Sequence, residues 1–284
     1  MSSSICMLAK PFNIHKVIFP CYVDIKLDGI RGFIKYENTL NIYSRNNKIY
    51  RNFINIEKEL KILYNFYVKD YKTVNIDGEI LNGHFQNLMR MAHRKIDGVE
   101  MAEDSTYTIF DIYLNHQLNI TLGHRLEFLN DIKTIINKKN LKHLNVNIGK
   151  IAYCNNDILK YYNEIVALGF EGIMIKNLNS IYECKRSYNW MKMKPTLTKD
   201  LEIVSIKEGK NKYECMLGAF ICRLPNGNTV NVGSGYTDEE RNIFHDETLI
   251  GKIIEVKYQE KTKDGNLRFP TFLRFREDNI FEIC

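Results

Sequence analysis

The chain has 284 residues, 44% hydrophobic and 26% charged, with a formal net charge of +6, values ordinary for a soluble globular protein with room for one large or two moderate domains. No apolar run approaches the roughly 20 residues of a membrane helix, and the first residues, Met1-Ser2-Ser3-Ser4-Ile5-Cys6, lack the basic start and long apolar stretch of a secretory signal, so an intracellular protein with no membrane partner is expected. The seven cysteines form no CxxC pair and no Cys/His pair at zinc spacing, which argues against structural zinc and for reduced thiols.

In chain order, residues 22–26, 31–37 and 40–44 read as short strands, with turns at Gly29 and at Asn46-Asn47. Residues 53–67 carry apolar side chains at helical spacing (Phe53, Ile56, Leu60, Leu63, Tyr64) and predict an amphipathic helix. Residues 74–81 alternate like a strand, 85–95 suit a helix and 107–113 a strand. Helices are expected over 122–137 and 158–168, then buried strands at 172–176 and 190–194. After Pro195 the texture changes to short strands at 201–207, 219–224, 229–232 and 252–259, with one helix near 238–244 and a turn at Pro225-Asn226-Gly227-Asn228. Short strands at such intervals suit a small closed barrel of the oligonucleotide-binding type. The charge balance changes sign at the same place: residues 1–199 hold 28 Lys+Arg against 19 Asp+Glu, and residues 200–284 hold 12 against 15. A basic main body suits a polyanionic partner. The expected fold class is α+β, with antiparallel sheets and flanking helices over residues 1–196 and an all-β barrel over 197–284.

The chemistry concentrates in a few clusters. Lys26-Leu27-Asp28-Gly29-Ile30-Arg31 sets a lysine at the end of a strand, beside a carboxylate, a glycine and an arginine. A lysine amine is a nucleophile only when deprotonated, which requires desolvation or neighbouring positive charge. Gly29 would let backbone approach a ligand, and Arg31 would hold an anion by two contacts. Asp77-Gly78-Glu79 and Ile109-Phe110-Asp111 each end a predicted strand, and Glu171-Gly172-Ile173-Met174-Ile175-Lys176 begins another. In Trp190-Met191-Lys192-Met193-Lys194 the two lysines are two apart on a strand, so both ammonium groups share a face. Taken singly these are turns, a core residue beside a cap, and a solvated strand face. Jointly they supply a nucleophilic lysine, carboxylates for a divalent cation, an aromatic ring for a base and lysines for phosphates, the inventory for attack on the α-phosphorus of a nucleoside triphosphate.

In this order the clusters resemble the nucleotidyltransferase motifs of ATP-dependent DNA ligases, members of the covalent nucleotidyltransferase superfamily that also holds RNA ligases and mRNA-capping enzymes. The likeness runs from Met7-Leu8-Ala9-Lys10-Pro11 almost to the C-terminus. Val232-Gly233-Ser234-Gly235-Tyr236-Thr237-Asp238-Glu239-Glu240-Arg241 and Leu267-Arg268-Phe269-Pro270-Thr271-Phe272-Leu273-Arg274-Phe275-Arg276 resemble DNA ligases rather than capping enzymes. The alternatives are an RNA ligase or a capping guanylyltransferase of the same superfamily and, in a different class, a non-catalytic nucleic-acid-binding protein.

The resemblance implies a nucleotidyltransferase (adenylation) domain at 1–196, an OB-fold domain at 197–284 and a compact enzyme of the phage or viral kind, acting in DNA replication, repair or recombination. With ATP, Lys26 forms the lysyl-AMP, and Lys192 and Lys194 stabilise charge on the α-phosphate and crowd Lys26 with positive charge. Glu79 and Glu171 hold Mg²⁺ or Mn²⁺; Glu79 alternatively contacts ribose, and Asp77 is either a further metal ligand or a structural carboxylate. Phe110 stacks on adenine, the backbone of Asp24, Ile25 and Lys26 reads the base edge, and Lys176 lies near the adenine end. Arg31 contacts ribose or phosphate, and Arg45 grips the 5′-phosphate of nicked duplex DNA. Arg276 and Asp278 take the place of the last motif, which orients the leaving pyrophosphate. Many relatives carry a lysine where this chain has Asn279, so Arg274 or Arg268 would supply that cation. The resemblance further implies a hinge at 195–200, a barrel without the long DNA-wrapping insert, no helical DNA-binding domain ahead of Lys26, and a monomer.

Overall fold

A computed structural model describes residues 5–36, 39–67, 74–82, 104–114, 119–258, 260–262 and 264–276. It divides into two compact units, Met1–Lys194 and Pro195–Cys284. The expected helix at 85–95 and the end of the last motif, with Asp278 and Asn279, lie outside the described residues.

In the first unit, strands β1 (Leu8–Pro11), β2 (Cys21–Ile25), β3 (Ile30–Tyr36), β4 (Leu40–Tyr43) and β5 (Ile49–Tyr50) precede helix α1 (Ile54–Tyr67). Strands β6 (Val74–Leu81) and β7 (Thr106–Leu114) follow, then α2 (Leu122–Lys139), β8 (Leu144–Val146), β9 (Lys150–Ala152) and α3 (Asn155–Ala167). Strands β10 (Ile173–Asn177) and β11 (Arg186–Met193) complete it. Among the described residues these strands form a sheet ordered β1-β11-β10-β2-β9 and another ordered β5-β4-β3-β6-β7-β8. Pairing is antiparallel except for β1 with β11 and β7 with β8.

Burial follows the periodicities. Helix α1 sinks Ile56, Leu60, Leu63 and Tyr64, and α2 sinks Leu129, Ile132 and Ile136, into a core shared with the second sheet, α1 against β4 and β8 and α2 against β7 and β8. Helix α3 lays Ile158, Tyr161 and Ile165 against Val23, Ile173 and Ile175 of the first. A third core, with Met7, Phe33, Tyr182 and Trp190 and with Phe110, Tyr113 and Met174 packed against it, joins residues of both sheets. Burying a large side chain such as Trp190 contributes about 1.5–3 kcal/mol, so this layer holds the sheets together where the site lies.

The second unit has β12 (Leu197–Glu208), β13 (Leu217–Arg223), β14 (Thr229–Val232), the short helix α4 (Asp238–Ile243), β15 (Ile253–Tyr258), the ribbon β16 (Glu260–Lys261) with β17 (Leu267–Arg268), and β18 (Thr271–Phe275). The sheet order is β14-β13-β12-β15-β18, and Phe220, Val232, Ile254, Val256 and Phe272 fill its core. Helix α4 carries a capping box, with the Thr237 side chain accepting from the Glu240 amide and Glu240 accepting from the Thr237 amide at 2.7 Å.

Two expectations change. Strand β12 begins at Leu197 and pairs from there with β15, Asp200 lying opposite Glu255, so most of the expected 195–200 hinge is ladder-bonded strand. Asp77-Gly78-Glu79 and Ile109-Phe110-Asp111 lie within β6 and β7 rather than at their ends, because the alternation continues through both clusters. The sequence reading also passed over β1, β8 and β9, strands too short to show a period.

Candidate active site

Strand β2 lies between β10 and β9 with Cys21 to Asp24 fully packed. The chain leaves the sheet at Lys26, whose amide donates to the Gly172 carbonyl at 2.9 Å. Gly172 has φ +141°, and a Cβ there would lie 2.1 Å from the Met193 carbonyl oxygen. Only glycine tolerates that conformation and approach, so the ends of β2, β10 and β11 crowd together. Glu171, Lys26 and Lys194 emerge side by side as a result: the Glu171 carboxylate forms ion pairs with Lys26 through Oε2 and with Lys194 through Oε1.

Beside this triad opens a cavity of about 210 Å³ walled by Lys26, Lys192, Arg31, Glu79, Arg45 and Arg186 at its charged parts, and by Phe110, Trp190, Met174, Asp24, Asn147 and Lys176 elsewhere. Lys192 is held below the usual lysine range by desolvation, then by the charges of Lys194 and Lys26.

At the apolar part, Phe110 owes its direction to a bulge. Asp77 pairs with Asp111 but Gly78 with Ile109, which leaves Phe110 as the extra residue of β7. Its ring lies 4.8 Å from the Arg31 guanidinium and meets Trp190 edge-on at 6.0 Å. Beneath it Lys176, buried, donates to Asp24 Oδ2 at 2.6 Å and sits 4.7 Å from the Trp190 ring centre. Asp24 is pushed up to about 6 by burial, with Lys176 opposing. Its Oδ1 is buried and takes no hydrogen bond among the described residues. The Ile25 carbonyl accepts from Asn147 Nδ2 at 2.9 Å.

The carboxylates of the other clusters divide by role. Asp77 is fully buried and receives Arg31 Nε at 2.6 Å, a second Arg31 nitrogen and the Tyr182 hydroxyl, which leaves it a structural carboxylate. Arg31 also donates to the Met7 carbonyl at 3.0 Å, so its guanidinium is largely engaged by protein while it lines the cavity. Asp111 is likewise buried, against Arg125 at 2.7 and 3.0 Å, and the same arginine ties the Ile120 and Ser180 carbonyls. Glu79 differs. It lines the cavity with no hydrogen bond or ion pair among the described residues, and burial pushes it up to about 7 against the pull of Arg31 and Lys26. Gly29 approaches protein rather than ligand: a Cβ there would lie 2.2 Å from the Ile80 carbonyl oxygen.

In the second unit, Arg276 donates through Nε to Asp200 Oδ1 at 2.9 Å and pairs with Glu255 at 3.4 Å, while Arg274 donates to Glu255 at 2.8 Å. The sequence reading missed Asn147, Arg186 and Trp190 as wall residues. Trp190 carried a signal as the chain's single tryptophan; Asn147 carried none.

A lysine flanked by cations and a carboxylate, beside a cavity with an aromatic, part-buried far wall, is the arrangement expected of a covalent nucleotidyltransferase. The family description "ATP dependent DNA ligase domain" matches residues 6–194 and "DNA ligase OB-like domain" matches residues 208–276, and the chain belongs to the ATP-dependent DNA ligase family. It is 30% identical over 302 residues to a DNA ligase of Methanococcus aeolicus, covering 91% of this chain and 52% of that protein. It is 28% identical over 285 residues to the SPbeta prophage-derived DNA ligase-like protein LigB of Bacillus subtilis, covering 95% and 96%. Among solved structures, Pmar-Lig_PreS3 superposes with a TM-score of 0.84 at 29% identity, over 96% of this chain and 67% of the other. The chain thus spans about half the length of the archaeal relative. No helix among the described residues is long and apolar enough to cross a membrane.

Proposed function

We propose that this chain seals 3′-OH/5′-phosphate nicks in duplex DNA with ATP, through a lysyl-AMP and a DNA-adenylate, and that it does so as a monomer. The observation that carries the reading is the convergence of Lys26, Lys194 and Glu171 beside a cavity that Lys192 also lines. In the first step Lys26 Nζ bonds to the α-phosphorus of ATP as the bond to the pyrophosphate oxygen breaks. Lys192 and Lys194 offset the charge that grows on the phosphate oxygens. Glu171 orients both amines it pairs with before the nucleotide arrives. Phe110 carries the adenine ring, with Lys176 and the Asp24–Ile25 edge beneath it, and Arg31 faces the sugar and phosphates.

In the second step an oxygen of the nick's 5′-phosphate, gripped by Arg45, displaces Lys26 from the AMP phosphorus. The 3′-hydroxyl then attacks the 5′-phosphorus and AMP departs. Residues 1–196 act as the adenylation domain and 197–284 as the OB-fold domain, whose Arg276 and Asp278 orient the leaving pyrophosphate.

The donor set suits Mg²⁺ or Mn²⁺ as a phosphate-held ion. Glu79 offers an unpaired carboxylate at the cavity and Glu171 a second one now shared by lysines, and Mg²⁺ takes few carboxylates with phosphate and water oxygens. Among the described residues no cluster of three or more His, Cys, Asp or Glu forms a protein-only metal cage. Once bound, the cation would neutralise phosphate charge.

The test is sealing of 5′-labelled nicked duplex DNA, run beside single-stranded RNA, by the wild-type chain and Lys26→Ala. Sealed DNA and an acid-labile, alkali-stable AMP label on the wild type alone are expected. RNA joining without nick sealing, or sealing that survives Lys26→Ala, would refute the reading.

A further inference from the structure

Across strands β3 and β6, Arg31 lies directly opposite Glu79 and diagonal to Asp77. Directly opposed side chains are the closer neighbours on one face of a ladder, and Arg31 and Glu79 both line the cavity. Arg31 nevertheless pairs with Asp77, through Nε at 2.6 Å and through Nη2, while Glu79 keeps its carboxylate without a hydrogen bond or ion pair among the described residues. Two opposite charges therefore face one cavity without neutralising each other.

The reason lies in a closed circuit behind the cavity wall. Tyr182, 6% exposed, donates its hydroxyl to Asp77 Oδ2 and accepts from the Met7 amide at 3.1 Å. Arg31 Nη2 donates to the carbonyl of the same Met7 at 3.0 Å. The Met7 amide, Tyr182, Asp77, Arg31 and the Met7 carbonyl thus form a ring of hydrogen bonds that uses both backbone groups of one residue. The Tyr182 ring is itself held, edge-on to Trp190 at 6.0 Å and against Tyr113 at 5.1 Å. A guanidinium carries five N–H donors in a planar fork. The circuit takes the Nε hydrogen and both hydrogens of Nη2, and the two on Nη1 have no acceptor among the described residues. Because the fork is rigid, fixing one edge fixes the direction of the other.

We infer that Tyr182 is a positioning residue for the nucleotide site: with Met7 it holds Arg31 on Asp77, and so keeps Arg31 Nη1 and the Glu79 carboxylate both open to the cavity instead of paired with each other. Without the hydroxyl, Asp77 loses a donor, the Met7 amide loses its acceptor, and Glu79 competes for the guanidinium from directly across the ladder. The inference rests on the adenylation reading above, in which Arg31 faces the sugar and phosphates. It adds a residue that does not line the cavity and acts on the nucleotide through one that does.

The test is calorimetric titration of the full chain, first freed of bound AMP with pyrophosphate and Mg²⁺, with α,β-methylene-ATP, which binds without being cleaved. Tyr182→Phe keeps the ring and removes only the hydroxyl. It is expected to raise Kd by about 5-fold or more, the scale of losing a hydrogen bond to a charged group. In an Arg31→Lys background, whose single ammonium cannot form the fork, the same change should add less than about 2-fold, since two residues acting through one contact are not additive. A structural role alone would lower the melting temperature and change Kd by the same factor in both backgrounds, or not at all, and either result overturns the inference. Asp77→Asn breaks the circuit at the neighbouring member and should also weaken binding by about 5-fold or more; wild-type affinity in that chain overturns the inference even where Tyr182→Phe fails to fold. A wild type that does not bind the analogue refutes the adenylation reading itself and this inference with it, a result distinct from the others.

Discussion

Asp24 and Lys176 form a buried ion pair in which the carboxylate is the group that burial disturbs. Removing such charges from water is costly, and a buried pair of this kind contributes to geometry more than to net stability. The pH consequence has a definite sign. With an unfolded value near 3.8 and a folded value of about 6, the folded chain binds a proton that the unfolded chain has released across that window. The contribution of this carboxyl to stability is complete below pH 3.8 and is lost as pH rises through 6. Between pH 4 and pH 7 the wild type should therefore lose stability relative to Asp24→Asn, by about 2–3 kcal/mol at full effect. Urea midpoints of the two proteins at a series of pH values measure it, and a difference that stays constant with pH would contradict the assignment.

At the scale of elements, the site is a product of strand ends and one bulge. Gly172 lets β10 begin against the end of β11, and the bulge of β7 turns Phe110 to the cavity. Replacing Gly172 with alanine inserts a Cβ 2.1 Å from a backbone oxygen at a positive φ, which forces a backbone shift costing about 1–3 kcal/mol. The shift falls where the Lys26 amide donates to the Gly172 carbonyl and Glu171 meets two lysines, so the loss of AMP labelling should exceed the loss of stability. We expect at least about a 100-fold lower rate of lysyl-AMP formation, since misplacement of reacting groups by about 1 Å has that scale of effect. Labelling kinetics beside a thermal melt decide it: a Gly172→Ala chain that melts lower but labels at the wild-type rate would show that strand-end crowding is irrelevant to the chemistry.

For the whole molecule, the excess positive charge lies in residues 1–199, with 28 Lys+Arg against 19 Asp+Glu, and the remainder is slightly acidic. Binding of nicked duplex should then be dominated by phosphate contacts from the larger unit and should release counterions. Affinity is expected to fall linearly on a log–log plot against salt, by about 10-fold or more between 50 and 200 mM. Fluorescence anisotropy with a nicked hairpin measures the slope, and a flat line would remove the electrostatic account of DNA affinity.

Much of this was legible in the chain. Periodicity located α1, α2, α3 and the long strands, because each spans enough residues to repeat its pattern. The clusters around Lys26, Glu79, Phe110, Glu171 and Lys192 were legible because motif residues keep their order and spacing along the chain. The short strands β1, β8 and β9 were not, since three or four residues carry no period; β1 forms only by pairing with β11, whose nearest partner for Leu8 is Arg186. Nor could local sequence distinguish Asp77 from Glu79: both flank Gly78, and only the packing of Tyr182 and Arg31 makes one a buried structural carboxylate and leaves the other open to the cavity.

The sequence by itself determined the family and singled out Lys26 as the expected nucleophile, because a lysine with its ordered partner motifs is a one-dimensional signal. Only the tertiary structure decided which oxygen of Glu171 meets which lysine, that Phe110 stands out on a bulge, and that Asn147 reaches back to Asp24 and Ile25. Those are contacts between residues as much as 145 positions apart, and their geometry is set by how strand ends crowd and sheets face each other, which no local pattern encodes.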